Sequence, residues 1–150
     1  MDRRLIIIIM LLWCFLIAKA QNYIALESSE RPIVKVNING SEAYMLIDTG
    51  SSINILTMKA VKAHRLRIRT IYAGGVYSAT TEMHAIHVDK AKIDIRGALF
   101  YQFLTIDISL ITKNIFEETG IEISGIIGTP AIISLGMVVD LKRGIITINK

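Results

Sequence analysis

The sequence predicts an all-β domain, closed or sandwiched, with two or three short helices. Short runs in which apolar and polar residues alternate with period two recur along the chain, as in Ile33-Val34-Lys35-Val36-Asn37-Ile38. Turn-forming residues such as Asn39-Gly40, Arg96-Gly97 and Lys142-Arg143-Gly144 separate these runs. Helix signals are confined to brief stretches that begin near Thr57, Ser109 and Thr129.

A chain of 150 residues implies one domain. Its first 20 residues read as an address. Arg3 and Arg4 precede an unbroken apolar run over residues 5–17, and Ala18-Lys19-Ala20 puts small residues where a signal peptidase reads them. Cleavage is expected before Gln21, with export to a periplasm or beyond. The run is shorter than the roughly 20 residues that cross a bilayer as a helix, so a membrane tether is expected only if this segment is not cleaved. Removing it takes away Arg3, Arg4 and Lys19 against Asp2 and halves the net charge of +4. The basic balance therefore points to no nucleic-acid partner. Cys14, inside the apolar run, is the only cysteine, which excludes disulfides and thiolate metal sites from the mature chain.

Residues 21–31 are polar and unpatterned and read as a linker, with order starting near Pro32 in a domain that runs over residues 32–150. The strand from Ile33 ends in Asn39-Gly40, two residues that tolerate the positive φ of a tight hairpin turn. The returning strand, residues 43–47, is apolar on both faces and delivers Asp48 into a turn. Residues 53–56 form a further strand, and Thr57 caps a helix reaching about His64. Arg65, Arg67 and Arg69 mark a strand with a wet basic face, which discourages edge-to-edge association.

Ala73-Gly74-Gly75 punctuates two β-like stretches, the second being residues 76–88, and suggests a mobile hairpin. Alternating runs over residues 91–95 and 98–106 follow. A helix is expected over residues 109–118, capped by Ser109 and stopped by Gly120. Residues 123–128 then lead into a short helix opened by Thr129-Pro130 and closed by Gly136, and the chain finishes in a hairpin over residues 137–148.

The chemically informative segment is Met45-Leu46-Ile47-Asp48-Thr49-Gly50-Ser51-Ser52. A carboxylate directly after an apolar strand is costly unless the site supplies hydrogen bonds or uses the charge. Gly50 lets the backbone double back and aim amide hydrogens at the carboxylate. Ser51 is expected to donate its hydroxyl to the outer carboxylate oxygen, and Thr49 to brace the loop.

Asp48-Thr49-Gly50, read with Ser51-Ser52 and the strand before it, resembles the hallmark of the retropepsin-like aspartic peptidases. Ile126-Ile127-Gly128, about eighty residues on, matches the family's second mark, an apolar pair and glycine passing behind the catalytic loop. The resemblance runs from about Pro32 to Ile148. It implies a closed β-barrel of the acid-protease type, with Asp48 catalytic, Thr49, Gly50 and Ser51 supporting it, and Ile126, Ile127 and Gly128 packed behind. It also implies a flap over residues 73–80, with Ala73, Gly74, Gly75, Val76 and Tyr77 facing substrate and Gly74-Gly75 at the tip.

One such motif supplies half of a site. Peptide hydrolysis by this chemistry needs two carboxylates around one water, so a two-fold homodimer acting on peptide or protein substrates is expected, with no metal or organic cofactor. The alternative is an interaction module that keeps the fold and binds peptides without cutting them. Other constellations are weaker. His84 and His87 fall on opposite faces of a strand, His64 lies at a helix end, and Gly74-Gly75 lacks the lysine of a phosphate loop. A serine hydrolase built on Ser51 lacks a nucleophile-elbow sequence. Asp107 and Asp140 also follow apolar strands but lack the Thr-Gly sequel, and read as turn-bracing carboxylates.

Overall fold

The computed structural model describes residues 23–77, 82–89 and 91–149; of residues 70–77 and 82–84 it describes the backbone. The expected leader over residues 1–20 and part of the expected flap, residues 78–80, lie outside the described residues. Within them the chain is mostly β, with three short helices.

Two tight hairpins share one construction. Strands β2 (Ile33–Ile38) and β3 (Ser41–Ile47) pair antiparallel across Asn39 and Gly40, whose φ angles of 49° and 94° are the positive pair that a primed turn requires. Asn37 Oδ1 accepts the Gly40 amide at 2.6 Å. Strands β7 (Ile93–Ile95) and β8 (Ala98–Phe100) repeat the arrangement at Arg96 and Gly97, where Asp94 Oδ1 accepts the Gly97 amide at 2.6 Å. The same side-chain chemistry at the same offset sets both registers.

These strands belong to a nine-stranded sheet ordered β5-β6-β9-β4-β10-β3-β2-β7-β8. The new members are β4 (Asn54–Leu56), β5 (Arg67–Tyr77), β6 (Glu82–Asp89), β9 (Phe103–Thr105) and β10 (Gly125–Ile127). No pairing joins β5 to β8 among the described residues, so the barrel closure expected from the sequence is not seen. At the centre β10 runs parallel to β3 and antiparallel to β4. Both faces of this centre are covered. Met45, Ile47, Leu56, Phe103 and Ile127 enter the main core, while Ile55 and Ile126 enter a second cluster with Ile106 and Ile108. That is why these strands read as continuous apolar runs rather than as alternating ones.

A three-stranded sheet, ordered β1-β12-β11, packs beside the first. It holds β1 (Tyr23–Ala25), β11 (Met137–Asp140) and β12 (Ile145–Ile148). The stretch expected to be a linker is therefore tied into the domain from Tyr23, which pairs with Thr147. Three residues are too few to show a period, and their partner sits at the far end of the sequence.

Helix α1 (Met58–Ala63) is capped as expected, Thr57 accepting the Ala60 amide at 3.0 Å, and His64 ends it. Arg65 has φ 51° and lies in the turn after α1, so the basic strand face begins only at Arg67. Helix α2 (Ser109–Thr119) ends at Gly120, φ 71°, but its N-terminus differs from the expectation. Ser109 is helical and caps nothing; Asp107 instead accepts the Ser109 amide at 2.9 Å, and this bond holds its carboxyl below the ordinary value. Asp140 likewise accepts the Arg143 amide, so both aspartates brace turns. Helix α3 (Thr129–Ser134) starts with Pro130 in its first turn.

The Gly74-Gly75 pair does not form a hairpin tip. It lies inside β5, where the register against β6 shifts between Tyr72 and Gly75. Glycine suits a bulge as well as a turn, because both ask for backbone conformations that side chains hinder.

Asn54 is a buried polar residue at the centre of the fold. Its Oδ1 accepts the Gly128 amide at 2.9 Å and its Nδ2 donates to the Gln102 carbonyl at 3.3 Å, linking three segments. Asn54→Ala is expected to lower stability by about 1–3 kcal/mol, because it strands a buried amide. Urea denaturation checks this, and an unchanged midpoint contradicts it.

Arg31 and Glu118 form a two-pronged ion pair, at 2.6 and 2.9 Å, between the entry to β2 and α2. The Arg31 hydrogen bond lowers the Glu118 pKa. The pair's contribution is then present above the ordinary carboxylate value and fades as pH falls through the lowered folded value. Melting temperatures of wild type and Glu118→Gln should accordingly differ near neutrality and converge in acid; a gap that widens in acid contradicts the assignment.

Candidate functional site

Strand β3 ends with Ile47 buried and Asp48 half-buried where the chain turns. Three sets of bonds define this loop. The Asp48 amide donates to the Ile127 carbonyl at 2.9 Å, extending the β3–β10 ladder by one step and fixing where the strand gives way to the turn. The Gly50 amide donates to Asp48 Oδ1 at 2.8 Å, as expected of a loop that aims its backbone at the carboxylate. The Ser51 amide donates to the Asp48 carbonyl at 3.2 Å and closes the turn. A Cβ on Gly50 would sit 3.2 Å from Asp48 Oδ1, so a side chain here would press on the oxygen that its amide holds.

Ser51 departs from the expectation. Its hydroxyl donates to the Ile53 carbonyl at 2.8 Å rather than to the carboxylate, and so stiffens the exit from the loop. The loop turns the Ser51 side chain onward along the chain because its amide, not its hydroxyl, is used to close the Asp48 turn. Thr49 takes part through its backbone: its carbonyl accepts the Thr129 hydroxyl at 3.0 Å.

Thr129 is the residue that sequence reasoning read only as a helix opener. Its amide donates to the Ser51 carbonyl at 2.8 Å while its hydroxyl holds Thr49, so the start of α3 grips the loop at two points. Gly128, just before it, passes so close behind the loop that a Cβ would run into the Ile53 and Ser51 carbonyls. Gly125 is equally confined against the backbone of Ile55 and Leu56. Ile126-Ile127-Gly128 therefore does pass behind Asp48, with Ile126 and Ile127 buried on opposite faces of the sheet. Asn54 fixes Gly128 from the other side. Its sequence signal was an amide residue in the middle of the apolar run Ile53-Asn54-Ile55-Leu56, a placement that demands partners.

A cavity of about 500 Å³ opens beside the loop exit, lined by Ser52, Ile53, Asn54, His87, Gln102 and Pro130 among others. The Arg69–Asp89 ion pair, at 2.8 Å, forms part of its wall. A second cavity, about 550 Å³, lies at the opposite end of β10 against α2 and is lined mainly by Met58, Ile86, Ile106, Ile108 and Ile123. Asp48 lines neither; its carboxylate stands on the loop surface between the strand ends. Of the residues expected to face substrate, Ala73, Gly74, Gly75, Val76 and Tyr77 belong to β5, whose hairpin with β6 borders β9. No cluster of three or more metal-ligating side chains occurs among the described residues.

The family model described as "Aspartyl protease" matches residues 34–131, which takes in the Asp48 loop, β10 and the start of α3. No curated protein matches the chain. Among solved structures, the EIAV protease complexed with the inhibitor HBY-793 is similar with a TM-score of 0.57 and 22% identity, over 77% of this chain and 95% of that one. The retroviral protease-like domain of Ddi1 from Leishmania major aligns with a TM-score of 0.55 and 18% identity, over 79% of this chain and 87% of that one. At such identities the likeness speaks for the fold, and the family match rests on the sequence itself. The match over residues 34–131 takes in the half-buried aspartate, its glycine-bearing turn and the Ile-Ile-Gly strand packed behind it, and the chain, with a retropepsin-like fold, belongs to the aspartyl protease family.

Proposed function

We propose that the protein is an aspartic endopeptidase whose site is completed by a second copy of the chain. The observation that carries this reading is the Asp48 loop itself. Its carboxylate ends a buried strand, is aimed by the Gly50 amide and is held from behind by Thr129 and Gly128. So much bonding on a loop whose carboxylate is still half-exposed favours a working group over a structural one.

The chemistry follows from pairing. Two Asp48 carboxylates a few ångströms apart do not both ionise comfortably, so together they hold one proton and titrate as a unit. One accepts a proton from the water between them as that water attacks the scissile carbonyl; the other donates a proton or hydrogen bond to the carbonyl oxygen. The Gly50 amide keeps the inner oxygens fixed, so orientation need not be found during the reaction. The long β5–β6 hairpin then serves as the flap, holding an extended peptide through strand-like backbone bonds and excluding water. Export after removal of residues 1–20 puts this activity in a periplasm or outside the cell.

Asp48→Asn is expected to abolish cleavage of a mixed peptide library between acidic and neutral pH while leaving the melting temperature near that of wild type. A loss of at least about a hundredfold is expected when one partner of an acid–base pair is removed. Equal cleavage by the variant refutes the catalytic assignment.

A further inference from the structure

The cavity at the α2 end of the central strands takes no part in the chemistry assigned to Asp48, yet it is built to hold something. Its volume of about 550 Å³ lies in the range of pockets that take small ligands, and Met58, Ile86, Ile106, Ile108 and Ile123 give it aliphatic walls. One group breaks that pattern. Thr105, at the end of β9, is 2% exposed, and its hydroxyl has no hydrogen-bond partner among the described residues. Thr105 stands opposite Ile86 in the β6–β9 ladder, so the two side chains share a face, and both residues line the cavity. A buried hydroxyl left unbonded costs stability. With no bond to hold its rotamer, it can turn toward a polar group placed in the cavity.

The mouth adds a charge. Lys59 and Glu122 pair there and cancel, which leaves Asp107; no other ionisable side chain lines the cavity among the described residues. Asp107 is exposed and already serves the start of α2 by accepting the Ser109 amide at 2.9 Å. An anionic ligand therefore meets a carboxylate rather than an open helix end. Thr105 and Asp107 are two residues apart, no more than about 7 Å along the chain.

We infer that this cavity binds the free amino terminus of a peptide that begins with an aliphatic residue. The aliphatic side chain fills the cavity, the α-ammonium meets Asp107, and a backbone amide group within the first two residues supplies the partner that Thr105 lacks. An extended peptide covers two residues in the same distance of about 7 Å, so both polar contacts form at once. The alternatives satisfy fewer groups. A fatty acid or a phosphate is repelled by Asp107, a hydrocarbon leaves Thr105 unbonded, and an alkylamine answers the carboxylate but not the hydroxyl. The site lies at the end of β10 away from Asp48, so it does not depend on the peptidase reading.

The probe is the peptide Ile-Val-Gly-Gly-Gly with fluorescein at its C-terminus, and binding to the full chain is read by fluorescence polarisation. Wild type and Asp48→Asn are expected to bind it alike, which keeps this site separate from the peptidase reading, whose own test is cleavage. Acetylating the amino terminus removes the charge and is expected to weaken binding at least about tenfold. Asp107→Asn keeps an oxygen for the Ser109 amide but loses the charge, so the free and acetylated peptides should then bind within about twofold of each other. Thr105→Val is expected to weaken binding about fivefold while the melting temperature does not fall, since the valine strands no polar group; a purely structural hydroxyl would give the reverse. Thr112→Trp, at a half-buried wall position on α2, should close the cavity and weaken binding at least about tenfold. Circular dichroism melting confirms that each variant folds. No saturable binding, equal affinity for the free and acetylated peptides, or a Thr105→Val chain that binds like its parent each overturn the site. Displacement of the probe by n-hexylamine as effective as that by unlabelled peptide overturns the peptide as its occupant.

Discussion

The parallel pairing of β3 with β10, and the closeness with which the second strand passes the loop that follows the first, governs the rest of the molecule. The Asp48 amide on the Ile127 carbonyl is the last bond of that ladder. Beyond it the chain can turn only because Gly128 carries no side chain to meet the Ile53 and Ser51 carbonyls. Asn54 and Thr129 then lock the crossing from either side. A carboxylate held this way owes its position to backbone contacts between segments some eighty residues apart as much as to the Gly50 amide beside it. Such contacts are stiff: few of them can relax without disturbing strands that are buried on both faces.

Much of this was legible in the residues. Asn39-Gly40 named a hairpin turn, and both residues do adopt positive φ. The apolar run ending at Asp48 announced a buried strand feeding a turn, and Ile126-Ile127-Gly128 announced what lies behind it. These features are local or carry a chemical signature that survives without knowledge of the partner. The parts that escaped depend on distant choices. Strand β1 is three residues long and exists because β12 is there to receive it. The Ser51 hydroxyl, expected on the Asp48 carboxylate, bonds the Ile53 carbonyl instead, a choice that depends on the path of the loop toward Ile53. Asp107 displaced Ser109 as the residue serving the α2 amide because it sits two positions upstream, where its oxygen can turn back.

The two ends of the central strands have different characters. The Asp48 end gathers polar groups with defined partners and opens on a cavity walled by the Arg69–Asp89 pair and His87. At the α2 end the second cavity is mainly aliphatic, with the Lys59–Glu122 pair nearby at the surface. This polarity arises from topology. Strands β3 and β10 run the same way, so both release their chains at one end, and the irregular backbone with its free hydrogen-bonding groups collects there.

The mismatch between β5 and β6 has a mechanical corollary. From Arg67 opposite Asp89 to Tyr77 opposite Glu82, one strand takes ten steps while the other takes seven. Two ribbons of unequal contour length joined along their sides bend, like a bimetallic strip, with the longer one outermost. The bend of that arm is thus written into its residue count: two of the three surplus residues fall between Ile68 and Tyr72, and the third between Tyr72 and Gly75, at the tandem glycines.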